Sequence, residues 1–337
     1  MTDLRTRYMG IELANPIIVG ASNLVENLDD LREIEQAGAA AIVYKSLFEE
    51  QIQLEAWEME DGLEEYENRS AEAASLFPDI KHAGPKEHIH KLRKTVEALK
   101  IPVFASLNCV YDVSWLDYAE ALSDTGVAGL ELNFYATPKS FTESGALTEE
   151  RQVKIVKEIK QRVEIPVAVK LSPYYSNPLN LIKRMDEAGA DALVLFNRLF
   201  QPEIDTDREQ HQFPWNLSHP GDNRLALRFA GLLHGNLKAS VAANTGIFTG
   251  DDVAQMLLAG ADTVQVVSTL YKHKISYLSR MIADLTQWMQ AKGYAKIDDF
   301  RGKLSQKNSK DPFAYKRAQY VDILMKSSSI LETYRLH

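Results

Sequence analysis

The sequence holds one cysteine, Cys109, among its 337 residues. A single thiol excludes a disulfide framework. It also excludes an iron–sulfur cluster carried by this chain alone, because such clusters need several thiolates. Positive charge is in deficit: 38 Lys and Arg stand against 47 Asp and Glu, a formal net charge of −9. Without a basic patch interleaved with aromatics, no nucleic-acid partner is expected. No apolar run approaches the about 18 residues that would suggest a membrane span, and the opening MTDLRTRYMGIEL has no apolar signal core. The expectation is a cytoplasmic protein without a membrane partner. The histidines at 82, 88 and 90 are not spaced with carboxylates as metal ligands would be, so they are read as surface residues and no metal is expected.

What is present is enough to build a large core: 45% hydrophobic and 25% charged residues. One pattern recurs. EQAGAAAIVYKS, SDTGVAGLELNF, DEAGADALVLFN and LLAGADTVQVVS each join an amphipathic helix end, a glycine suited to a helix C-cap, and an apolar strand. Two further strands follow a proline, in KIPVFASLN and EIPVAVKLS, and two more read PIIVGAS and KASVAANTG. Strands are thus expected near 17, 41, 103, 129, 167, 192, 240 and 263, with helical patterns between them. Eight βα units in one domain point to an α/β fold, a TIM (β/α)8 barrel, ahead of a doubly wound sheet. The segment TRYMGIELANP suits a hairpin closing the barrel bottom. The expected organisation is a barrel over 1–274 and a helical C-terminal extension over 275–337 that packs on it. Two βα connections are long, near 48–85 and 198–222. Both follow strand C-termini, where barrel sites lie, and both are read as lid or binding loops; FQPEID in the second is the segment suspected of covering substrate.

The strand C-termini gather Ala21-Ser22, Lys45-Ser46, Asn108, Asn133, Lys170, Asn197, Gly246 and Ser268-Thr269. Lysines and amides together can grip a flat, acceptor-rich heterocycle. Gly246 and Ser268-Thr269 can offer backbone N–H groups to a phosphate. A phosphorylated planar cofactor follows, and flavin mononucleotide (FMN) fits best. Lys170 is the least ordinary of these residues, because PVAVKLSP reads as a strand buried on both faces. A buried ammonium needs a negative partner. Reduced flavin, negative near N1 and O2, is one such partner; a buried carboxylate, or escape of the side chain to solvent, are the alternatives. Lys45 poses the same choice.

These motifs resemble the dihydroorotate dehydrogenase family of flavin barrels over residues 5–272. The resemblance rests on MGIELANPIIVGAS, on Lys45-Ser46, on Asn133 in LELNF, on VKLSP and on Asn197. NTGI keeps Gly246 but has Thr245 where a second glycine is usual, and Ser268-Thr269 stands where Gly-Thr or Tyr-Ser is common. ASLNCVYD is similar to the flavin domain of dihydropyrimidine dehydrogenase. The resemblance implies an FMN-dependent oxidoreductase that converts dihydroorotate to orotate in pyrimidine metabolism. It implies a flavin held by Ala21, Ser22, Lys45, Ser46, Asn108, Asn133, Lys170, Gly246, Ser268 and Thr269. Substrate would lie against Lys45, Asn133, Asn197 and Arg198. A homodimer is expected on the same ground, with a small-molecule substrate and a soluble electron acceptor or a partner subunit.

The family's strand-four motif, Asn-x-Ser-Cys-Pro-Asn, supplies a Cys or Ser base that removes a proton as hydride leaves for the flavin. Here it reads Asn133-Phe134-Tyr135-Ala136-Thr137-Pro138. Ala136 occupies the place of the base and cannot take a proton. Three explanations follow: a neighbour such as Thr137, Tyr135 or Cys109 supplies the base; the substrate is a different pyrimidine or unsaturated carboxylate, held by Arg198; or the protein has little activity. Lys170, Thr137 and Cys109 are the catalytic candidates, although a lone cysteine beside a barrel strand is ordinarily a small buried hydrophobe. Two readings of other classes are a flavin-less binding barrel and an aldolase-type barrel using Lys170 as a Schiff base; the second leaves the asparagines unexplained.

Overall fold

The computed structural model describes residues 2–50, 85–109, 112–135, 140–215 and 217–326. A short antiparallel hairpin, β1 (Thr6–Tyr8) with β2 (Ile11–Leu13), leads in. Eight parallel strands follow: β3 (Ile17–Val19), β4 (Ala41–Val43), β6 (Val103–Asn108), β7 (Gly129–Asn133), β8 (Val167–Leu171), β9 (Ala192–Leu195), β12 (Ser240–Asn244) and β13 (Thr263–Val266). Each pairs with the next in that order, and β13 returns to β3, so the sheet closes into the expected barrel. A two-residue strand, β5 (Leu47–Phe48), adds to the rim of β6.

The helices are α1 (Leu28–Gln36), α2 (Pro85–Ala98), α3 (Asp112–Ser123), α4 (Gly145–Arg162), α5 (Pro178–Glu187), α6 (Arg224–Leu233), α7 (Gly250–Ala259), α8 (Ser268–His273), α9 (Tyr277–Lys292) and α10 (Ala318–Met325). None of the described helices is long and apolar enough to cross a membrane.

The recurring Ala-Gly-Ala-Asp has a plain physical cause. Gly189 and Gly260 end α5 and α7 at φ +101° and +128°, which only glycine adopts without strain. The aspartates then bind the neighbouring strand: Asp191 accepts from Val167 N and Asp262 from Val241 N, each at 2.8 Å. Asn15 serves Ile17 N, and Glu35 serves Lys100 N, in the same way. Side-chain acceptors therefore satisfy backbone donors around the lower rim of the sheet.

Strand alternation splits the core in two. Outward residues such as Leu130, Leu132, Val167, Val169 and Leu193 join the shell under the helices. Inward residues form a separate cluster of Ile18, Ala41, Val43, Phe104, Ala168, Ala192, Val194 and Ala242. The hairpin plugs this narrow interior from below with Tyr8, Met9 and Leu13, and Tyr8 meets Phe104 edge to face at 5.7 Å. Each such buried side chain contributes about 1.5–3 kcal/mol.

Residues after the barrel pack on it. Leu278, Met281, Leu285 and Met289 of α9 are fully buried. A Cβ on Gly250 would come within 2.6–2.8 Å of α9, so only glycine permits this approach. The strip beyond α9 donates from Gly302, Leu304 and Gln306 N to carbonyls of α7 and α6. Arg301 ties Asp262 at 3.2 Å to Thr6 Oγ1 at 2.6 Å. The second long connection is not featureless: it folds into an exposed hairpin, β10 (Glu203–Asp205) with β11 (Gln210–Gln212). The first lies at 51–84, outside the described residues.

Candidate active site

The upper ends of the strands bring most of the expected residues to one mouth. Asn133 and Lys170 sit side by side on β7 and β8. The Asn197 amide donates to Asn133 Oδ1 at 2.5 Å, so the two amides act as a unit. Lys45 pairs with Glu26 at 2.8 Å and is part-buried. The hydroxyls of Ser46 and Ser106 are hydrogen-bonded to each other at 2.6 Å. Asn108 is buried, and Ser22 Oγ is buried without a hydrogen-bond partner.

Lys170 answers the question its buried strand raises. Its side chain is 8% exposed, and its Nζ lies 3.6 Å from Glu131 Oε1, a carboxylate itself 2% exposed. The buried carboxylate is therefore real. At 3.6 Å it is an ion pair and not a hydrogen bond, so the three donors of the ammonium remain for another acceptor.

Two backbone turns stand at the mouth beyond β12 and β13. Thr245 and Gly246 both take positive φ, +75° and +72°. For a β-branched residue that costs on the order of 1–3 kcal/mol. Bonds from Thr245 Oγ1 to Phe196 O, and from Thr245 N to Asn244 Oδ1, hold it there. A Cβ on Gly246 would meet Asn223 N at 2.5 Å. The Ser268 hydroxyl accepts from Ser218 N at 3.0 Å, and Lys272 Nζ donates to Ser218 O at 2.7 Å. Ser268 and Thr269 are the first two residues of α8, whose N–H groups have no intrahelical acceptor. A cleft of about 300 Å³ opens beside these turns, lined in part by Tyr174, Asn197, Asn244 and Thr245. Arg198 and Asp222 bridge it with a 2.6 Å ion pair.

Three candidates are held in ways that bear on their proposed roles, and Cys109 follows the ordinary reading of a lone cysteine beside a strand. Cys109 is buried in the core. Burial, and then the Glu49 carboxylate beside it, push its thiol well above the usual range. A thiol so held stays protonated at neutral pH and is a poor proton acceptor. Arg198 is engaged by Asp222 and is not an open cation. Tyr135 accepts from Phe200 N at 2.8 Å, which fastens the β9 connection over the mouth. Thr137, with Ala136 and Pro138, lies outside the described residues.

His88 corrects the expectation of a surface histidine. It is 5% exposed and packs edge-on against Tyr44 at 5.3 Å. Burial, then Lys45, hold its pKa down to about 4, and its Nε2 has no partner. A depressed folded-state pKa means stability that is complete above pH ~6.5 and lost as pH falls toward 4. By pH 5 this one group withdraws about 2 kcal/mol. Denaturant unfolding at pH 5 and pH 7 is expected to show that loss in the wild type and to lack it in His88→Leu.

Comparison with known proteins agrees with this geometry. The family model described as dihydroorotate dehydrogenase matches residues 80–289. The chain belongs to the dihydroorotate dehydrogenase family. Members of this family are oxidoreductases and generally use FMN. The chain is 27% identical to the dihydroorotate dehydrogenase B (NAD(+)) catalytic subunit of Thermoplasma volcanium, over 90% of this chain and 98% of that one. It is 26% identical to the putative dihydroorotate dehydrogenase A (fumarate) of Solibacter usitatus, over 89% and 98%. It is 25% identical to the B-type catalytic subunit of Methanothermobacter thermautotrophicus, over 89% and 97%.

Two residues at the heart of the dihydroorotate dehydrogenase-type barrel escaped the sequence reading: Glu131 and Gln265, both buried and joined by a hydrogen bond. A signal was present. Glu131 is two residues before Asn133, and so shares its inward face.

Proposed function

We propose that this chain is an FMN-dependent oxidoreductase that oxidises dihydroorotate, or a closely related pyrimidine-like or unsaturated carboxylate. The observation that carries this is Lys170, an ammonium enclosed at the barrel mouth with its hydrogen-bonding capacity unspent. The surrounding residues fit FMN. Ser22 Oγ is an orphaned polar atom, and the turn at Gly246 with the start of α8 offers backbone donors for a phosphate. FMN, when bound, supplies the hydride acceptor.

The chain's own residues do the rest. Lys170 offers positive charge where negative charge develops. Asn133 and Asn197 orient the substrate as a linked amide pair. The Arg198–Asp222 pair closes the side of the cleft. With Ala136 in place of a base and Cys109 buried, proton removal from the substrate is left to water or to Thr137, and is slow. With one cysteine, electrons leave to a soluble acceptor or through a partner subunit. Ala21, Lys45, Ser46 and Asn108 complete the flavin and substrate contacts in this account.

The test is anaerobic addition of dihydroorotate to the FMN-loaded protein, followed by visible absorbance. Slow bleaching is expected. No bleaching by dihydroorotate, with normal bleaching by dithionite, rejects dihydroorotate and leaves the related substrates.

A further inference from the structure

The barrel interior carries a charge that an apolar core does not need. Glu131 projects inward from β7, and Gln265 projects inward from β13. In the closed ring of eight strands β7 and β13 are four positions apart, on opposite walls. The Gln265 amide nonetheless donates to Glu131 Oε2 at 2.5 Å. The contact therefore spans the barrel, and the carboxylate lies near its axis, with Lys170 beside it at 3.6 Å. Apolar side chains share the interior with them, Ile18, Ala168, Ala192 and Ala242 among them. The polar register neighbours are Ser106 beside Glu131, its hydroxyl bonded to Ser46, and Asn244 beside Gln265. Tyr8, the plug beneath, has a buried hydroxyl without a partner, and its pKa is raised by burial and then by Glu131.

Packing gives no reason for this arrangement. A carboxylate in such surroundings is costly, and a well-packed apolar set in place of a buried ion pair is often as stable or more so. The network is also incompletely satisfied, because Glu131 Oε1 and Gln265 Oε1 each lack a hydrogen bond. Its effect is on Lys170. A lone ammonium would favour negative charge above it strongly; a carboxylate behind it offsets part of that field.

We propose that Glu131, fixed by Gln265, is a positioning residue that holds the Lys170 ammonium at the axis and moderates its charge, and so sets the midpoint potential of the bound flavin. This rests on the FMN reading given above. Glu131→Gln keeps the shape and removes the negative charge. Gln265→Leu removes the partner across the barrel and leaves Glu131 to Lys170 alone.

The experiment is anaerobic redox titration of FMN-loaded wild type, Glu131→Gln and Gln265→Leu against reference dyes, with thermal unfolding measured alongside. In Glu131→Gln the preference for reduced over oxidised FMN rises roughly tenfold, a shift of about +30 mV for a two-electron couple. In Gln265→Leu the shift has the opposite sign. A purely structural Glu131 would change unfolding and leave both potentials where they were; that result overturns the proposal. Should Glu131→Gln fail to hold FMN, Gln265→Leu decides alone: a negative shift supports the proposal and an unmoved potential overturns it. A wild-type chain that takes up no FMN overturns this and the proposed function together. Uptake of FMN with unmoved potentials overturns this inference only.

Discussion

Lys170→Met slows reduction of the bound flavin by substrate roughly 10²–10³-fold, the usual cost of removing one preorganised charge-stabilising donor. Methionine keeps much of the side-chain volume, so the strand and the inner cluster retain their packing. The loss is in the charge available where the reaction develops its own. A second effect accompanies it. Glu131 is left buried without a cation, and breaking a buried pair from one side costs on the order of 3–5 kcal/mol. The rate is therefore compared per bound FMN by anaerobic stopped flow, below the unfolding range of the variant. A rate within threefold of wild type would mean that Lys170 serves only as the counter-ion of Glu131.

Ala136→Cys raises the rate of flavin reduction by dihydroorotate roughly 10²-fold, the lower end of what a positioned general base contributes. The argument is chemical: alanine has no group that can accept a proton, and cysteine restores one at the position the family pattern assigns to the base. Thr137→Ala is expected to leave the restored rate in place in the Ala136→Cys background and to lower the slow rate in the wild-type background. An Ala136→Cys protein no faster than wild type would show that proton removal is not what limits this enzyme with dihydroorotate, and would favour another substrate.

The barrel was legible because its determinants are local. A glycine at positive φ followed by an apolar strand recurs after α1, α3, α5 and α7, with an aspartate two residues on after α5 and α7, and a proline marks the strands at 103 and 167. Lys170, Asn133 and Asn197 were legible because strand ends of a barrel converge on one face. Glu131 and Gln265 were missed because each lies inside a strand, and their contact joins opposite walls of a closed sheet. Only closure of the ring brings them together. His88 was misread although its helix announces it: Pro85, His88, Leu92 and Thr95 are the buried residues of α2, spaced at three, four and three, and His88 falls on that stripe. The β10–β11 hairpin gave no signal because both strands are largely exposed and polar, so no apolar alternation marks them.

The most direct test of the central claim is a titration of flavin-stripped protein with FMN, read by quenching of flavin fluorescence, with riboflavin run in parallel. The account predicts saturation at one FMN per chain and riboflavin binding at least about tenfold weaker, because the turn at Gly246 and the start of α8 are there for a phosphate. Equal binding of the two would contradict the phosphate cradle. No saturable binding of either would contradict a flavin at this barrel mouth.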